Sequence, residues 1–100
     1  MNSAPLVEGD VLSYVYLLRS LKDGKFYTGW TVNLKRRFAE HNAGLCAATK
    51  RGRPFKLVHY ETYPSVEFAK NRERALRHNP RMLHYFKRRM GDQRAVSSDD

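Results

Sequence analysis

A single cysteine, Cys46, among one hundred residues excludes an intramolecular disulfide and a cysteine-rich zinc site, and predicts an isolated thiol that packs as a small hydrophobe. Long apolar runs are lacking as well. The stretch around Val15 to Leu18 is far below the ~20 residues a membrane-spanning helix needs, and the first ten residues lack the basic-then-apolar pattern of a secretory signal. These absences predict a soluble protein of the cytoplasm with no membrane partner. Acidic residues are scarce, ten against nineteen lysines and arginines, for a formal net charge of +9. With 41% hydrophobic and 12% aromatic residues the chain is too apolar to be disordered. Its length suffices for one core of two packed layers and excludes two independent cores.

The positive excess is concentrated. Residues 33–56 carry a net +6 and residues 68–89 a net +7, while the remaining segments are neutral or acidic. A basic surface of this density is the footprint of a phosphate-rich partner such as nucleic acid; the alternative is a solvated, solubilising face.

The run VLSYVYLLRS, Val11 to Ser20, is β-branched and aromatic without glycine or proline, and predicts a buried strand. The Asp23-Gly24 pair suits a two-residue hairpin turn, with Phe26 to Trp30 as the returning strand. That turn would set Tyr16 opposite Thr31 and Tyr27 opposite Ser20, on one face but ~13 Å apart, and a wider loop would bring them closer. Asn33 as cap, Leu34 and Phe38 four apart, and Gly44 beyond predict a helix from Leu34 to Asn42. Leu45 to Pro54, basic and without apolar periodicity, reads as a mobile loop. Phe55 to Tyr63 predicts a third strand, and Ser65 caps a second helix over Val66 to His78. Asn79-Pro80 interrupts it, after which Met82, Leu83, Phe86 and Met90 mark a third helix. Residues 1–10 and 91–100 read as a flexible lead-in and a disordered polar tail around one domain at 11–90. The order β-β-α-β-α-α is an α+β pattern: a small three-stranded sheet, antiparallel or mixed, flanked by helices.

One ordered set of residues stands out: YVY at Tyr14 to Tyr16, YTG at Tyr27 to Gly29, Arg37 and His41 four apart in LKRRFAEHN, and Glu73 in FAKNRERALR. This set resembles the GIY-YIG nuclease superfamily, and more closely its short single-domain bacterial branch, over residues 13–86. The TKRGRPFKLVHYE stretch is similar to that branch's basic loop and third strand. Three departures accompany it. Ser13-Tyr14 stands in place of the leading glycine, Trp30 stands where some members carry lysine, and a late asparagine ligand is not evident.

The resemblance implies a GIY-YIG-like fold and a metal-dependent endonuclease that hydrolyses phosphodiesters in DNA, with RNA as an alternative substrate and DNA repair or recombination as its setting. It implies Tyr16 as general base, a phenolate whose pKa near 10 must be lowered by cations or metal-bound water. Tyr27 would orient the water or the phosphate, or itself be the base. Hydrolysis also needs neutralisation of the transition state, which suits Arg37, whose guanidinium matches two phosphate oxygens. His41, one turn on, could bond the phosphate, the water or Tyr16. Glu73, the only acid among eight basic residues in 68–89, is implied as the metal ligand, and one carboxylate with several waters suits Mg²⁺ or Mn²⁺. Lys35, Arg36, Lys50, Arg51, Arg53, Lys56, Arg72 and Arg77 are expected to hold the nucleic-acid backbone. Without a dedicated base-reading element, structure or single-strand selectivity is expected rather than sequence specificity, in a bacterial, nucleoid-associated protein. The alternatives are a nucleic-acid-binding module without turnover and an adaptor of a larger repair assembly.

Overall fold

The computed structural model describes residues 11–85 together with 88 and 89. The two expected flexible ends, and Phe86 and Met90 of the third helix, lie outside the described residues. The elements are β1 (Ser13–Ser20), β2 (Phe26–Thr31), α1 (Leu34–Ala43), a 3₁₀ turn (Lys50–Gly52), β3 (Phe55–Tyr63) and α2 (Val66–Arg77). Residues 80–85 are again helical after the break at Asn79-Pro80. The three strands form one antiparallel sheet in the order β2-β1-β3, so the architecture is α+β.

β1 is central and divides the core because successive side chains point to opposite faces. On one face Tyr16 and Leu18 pack with Phe55, Tyr27 and Leu57 against Leu34 and Phe38 of α1. On the other, Val15 packs with Trp30 and Tyr63 against Ala69 and Leu76 of α2, joined by Met82. The helices start and stop as their caps require. Asn33 Oδ1 accepts from the Arg36 N–H and Gly44 closes α1 at φ 78°, where a side chain would be strained; Ser65 Oγ accepts from the Phe68 N–H at the start of α2.

The hairpin differs from the two-residue expectation. Ser20 N–H donates to the Lys25 carbonyl, so four residues, 21–24, form the loop. The Ser20 hydroxyl accepts from the Lys22 and Asp23 N–H groups, and the Asp23 carboxylate accepts from the Lys25 N–H. These local side-chain bonds offer the chain a wider turn, with Gly24 at φ 77°, than the Asp-Gly pair alone selects. The register therefore slides by two: Tyr16 pairs with Gly29 and Tyr27 with Leu18, and the two tyrosines share one face as diagonal neighbours.

The segment expected to be a mobile basic loop is anchored instead. Thr49 and Gly52 are buried, and the Ser20 hydroxyl donates to the Gly52 carbonyl. Asn42 clamps the other side, its Oδ1 accepting from the Phe55 N–H at 2.6 Å and its Nδ2 donating back to the Phe55 carbonyl at 3.4 Å. A four-residue turn thus reaches through Ser20 to fix the loop beneath α1.

Candidate functional site

The centre of the site is a hydrogen-bonded chain across strand, helix and loop. Tyr16 is buried, and its hydroxyl lies 2.9 Å from His41 Nε2. His41 Nδ1 lies 2.7 Å from Thr49 Oγ1, which also stands 3.4 Å from the Cys46 carbonyl oxygen. In the tautomer with its hydrogen on Nδ1, directed at Thr49 Oγ1, the ring offers the Nε2 lone pair to the Tyr16 hydroxyl. Glycine at 29 makes room for the phenol. A Cβ there would stand within van der Waals contact of the Tyr16 hydroxyl oxygen and Cζ and 2.9 Å from Cε1.

Arg37 sits one turn before His41 on α1 and is half-exposed. Its Nη1 is 3.7 Å from Cys46 Sγ and 3.5 Å from Glu40 Oε1, both loose contacts. Burial pushes the Tyr16 phenol up to about 12, Arg37 opposes the shift, and Cys46, Glu73 and Glu40 add to it. The expectation of a lowered Tyr16 pKa is thus reversed in the protein alone, since desolvation outweighs the nearest cation. Burial and Arg37 together push His41 below the usual histidine range, with Glu40 opposing, so the ring is neutral at pH 7. Tyr27 stands edge-on to Phe55 at 5.4 Å, with its hydroxyl towards Gly52.

Glu73 approaches from the other side of the sheet. It is 6% exposed on α2, and its Oε2 accepts from the Thr28 hydroxyl at 2.7 Å while Oε1 lies 3.7 Å from Arg77 Nη2. Thr28 adjoins Gly29 on edge strand β2 and points to the α2 face. The carboxylate and the phenol lie on opposite faces of the sheet without a hydrogen bond between them, and the Glu73 charge adds to the rise of the Tyr16 pKa. Among the described residues no group of three or more His, Cys, Asp or Glu gathers as a metal cage. A carboxylate with about four acceptor positions, given one hydroxyl and one distant guanidinium among the described residues, retains capacity for a cation that keeps most of its own waters.

The expected backbone-binding cations divide in two. Lys35, Arg36, Lys50, Arg51, Arg53 and Lys56 are exposed around α1 and the loop; Arg36 lies 3.7 Å from Glu40, and Arg53 donates to the Lys50 carbonyl and crosses over Gly44. Arg72, by contrast, is committed to Glu61 through two parallel bonds of 2.8 and 2.9 Å. Its fork is taken by a carboxylate, and it holds α2 to β3. Arg77 turns towards Glu73. Thr49, Thr28 and the anchoring Ser20 were not found from sequence, because a lone hydroxyl carries no periodicity or charge; only the middle position of YTG pointed towards Thr28.

A family model described as the GIY-YIG catalytic domain matches residues 12–82. A UPF0213 protein of Syntrophus aciditrophicus is 48% identical over 63 residues, 61% of this chain and 71% of that one. A UPF0213 protein of Clostridium perfringens is 46% identical over 63 residues, 62% of this chain and 67% of its own. The solution NMR structure of a UPF0213 protein from Bacillus halodurans covers 86% of this chain and 85% of its own at 36% identity, with a TM-score of 0.44.

Proposed function

This chain belongs to the GIY-YIG catalytic-domain family, a nuclease family, and from that premise we propose that it is a divalent-metal-dependent endonuclease hydrolysing phosphodiester bonds in DNA. The observation that carries the reading is the 2.9 Å contact between the Tyr16 hydroxyl and a neutral His41. A phenol held near 12 is a strong base only once its own proton has somewhere to go, and His41 Nε2 is that place. As the Tyr16 oxygen takes a proton from an attacking water, the Tyr16 proton passes to His41 Nε2, in the tautomer whose Nδ1 hydrogen faces Thr49 Oγ1. The hydroxide so formed attacks phosphorus and the leaving oxygen departs opposite to it.

Among the described residues Arg37 makes two loose contacts through Nη1, which leaves its other N–H groups for two oxygens of the phosphate as charge builds there. Tyr27 orients the phosphate or the water from the adjacent strand. Glu73 is the residue that would hold Mg²⁺ or Mn²⁺, steadied by Thr28. Bound there, such an ion would neutralise charge on the phosphate and the leaving oxygen. The exposed cations Lys35, Arg36, Lys50, Arg51, Arg53 and Lys56 track the backbone, which supports affinity without sequence readout. Structure or single-strand selectivity, and a role in DNA repair or recombination, follow as parts of this proposal. The high Tyr16 pKa favours a second reading, a nucleic-acid-binding module without turnover or an adaptor of a larger repair assembly.

Labelled single-stranded, duplex, flap and branched DNA, each with Mg²⁺, Mn²⁺ or EDTA, separates the two. Metal-dependent products that vanish in Tyr16→Phe support the endonuclease. Tight, salt-sensitive binding with no product from any substrate would replace it with the binding module.

A further inference from the structure

β3 carries a bulge whose consequence lies beside the site. Leu18 pairs with Leu57 but Leu17 pairs with His59, so Val58 is the extra residue. Without it, Tyr60 would fall opposite Val15 and point to the α2 face. With it, Tyr60 stands directly opposite Tyr16 and on the same face. Tyr16 is thereby flanked by Gly29 on one side and by an aromatic ring that is 53% exposed on the other.

Tyr60 is not isolated there. Its ring lies 6.4 Å from that of Tyr14 at an interplanar angle of 54°. Together with Leu57, Asn33 and Lys35 the pair lines an open groove of about 480 Å³, within the ~300–1,000 Å³ range of small-ligand sites. The polar rim suits a nucleobase. Asn33 uses Oδ1 to cap α1, which leaves its amide N–H groups for a base carbonyl, and Lys35 and Arg36 stand exposed at the start of α1 to meet phosphates. α1 joins groove and site: Leu34 borders the groove, and His41 is seven residues on, ~10 Å at helix rise, or about three base steps of a stacked strand.

We propose that Tyr14 and Tyr60 form a stacking subsite for an unpaired DNA base lying within about three nucleotides of the phosphate under attack. A base inside a duplex has both faces covered by its neighbours and cannot enter. The subsite therefore selects a single strand or a junction, giving a physical origin to the selectivity in the proposed function, on which it rests.

The test is equilibrium binding by fluorescence anisotropy in EDTA, using a labelled single-stranded oligodeoxynucleotide and an oligomer of equal length and charge whose central residues are abasic. The wild type should bind the base-bearing strand about 5- to 100-fold more tightly. That ratio should fall towards one in Tyr60→Ala and in Tyr14→Ala and be retained in Tyr60→Phe, which keeps the ring. A general loss of folding or charge would weaken both oligomers and leave the ratio unchanged. A wild-type ratio near one, or a ratio that survives Tyr60→Ala, would overturn the subsite. The readout needs no metal and no turnover, so a failure to cleave DNA, which would sink the hydrolase reading, does not move it.

Discussion

Gly29→Ala perturbs the site without removing a chemical group. Gly29 is not among the glycines at positive φ, so its backbone is open to alanine, and an exchange of this kind ordinarily stabilises by ~0.4–1 kcal/mol. What forbids it is Tyr16. Carbon atoms rest at ~3.5–4.0 Å, and the new methyl would lie 2.9 Å from Tyr16 Cε1 and closer still to the hydroxyl. The phenol must retreat by on the order of 1 Å, which carries its hydroxyl out of hydrogen-bond reach of His41. Overpacking of ~1–3 kcal/mol and a buried bond left unmade at ~1–3 kcal/mol give a loss of roughly 2–6 kcal/mol. For a domain of this size that lowers Tm by about 10–30 °C, as read by calorimetry. Cleavage should fall at least ~100-fold, the contribution of a positioned general base. The decisive arm is the double variant. In a Tyr16→Leu background the obstructing ring is gone, so Gly29→Ala should become neutral or mildly stabilising, a reversal of sign. If Gly29→Ala costs the same in both backgrounds, the close approach of Tyr16 to Gly29 is not what glycine serves.

Three further outcomes follow from the same contacts. His41 is held below 6.5, so its accepting form persists down to mildly acidic pH and is lost as pH falls further; the acid limb of the kcat/KM profile should lie below pH 6.5, and Thr49→Val, which frees the tautomer, should lower kcat more than DNA affinity. Thr28→Val removes the hydroxyl that steadies Glu73, and the Mn²⁺ concentration for half-maximal cleavage should rise about 10- to 100-fold. Glu61 is held at about 2, first by Arg72, with His59 and Tyr63 adding to it. A carboxylate depressed on folding contributes stability that is full above its unfolded value near 4.5 and lost as pH falls towards 2; Glu61→Gln should remove about 1–2 kcal/mol at pH 7, after solvent screening, and far less at pH 2, as measured by urea denaturation.

The elements were legible because their signals are local and mutually consistent. The β3 strand spans the same residues as the β-branched and aromatic run from Phe55 to Tyr63, and the caps at Asn33, Gly44 and Ser65 stand where their chemistry requires. The set Tyr16, Arg37 and His41 was also legible as candidates, and the fold brings them together. What was not legible depends on single hydroxyls and on one-residue changes of register. Ser20 widened the hairpin and so moved Tyr16 from Thr31 to Gly29. The Val58 bulge turned Tyr60 to the Tyr16 face, a change that no alternation pattern announces. Charge counting also placed Arg72 on nucleic acid, where the partner in space is Glu61, eleven positions earlier in the chain.

In the proposed mechanism Tyr16, His41, Arg37 and Glu73 act on one phosphate. Single-turnover cleavage of a flap or single-stranded DNA with Mn²⁺ tests it most directly, comparing wild type with Arg37→Ala and Glu73→Gln after calorimetry has shown that both variants fold. The wild type should give a metal-dependent product, and each variant should lose at least ~100-fold. Cleavage by either variant at the wild-type rate would contradict it.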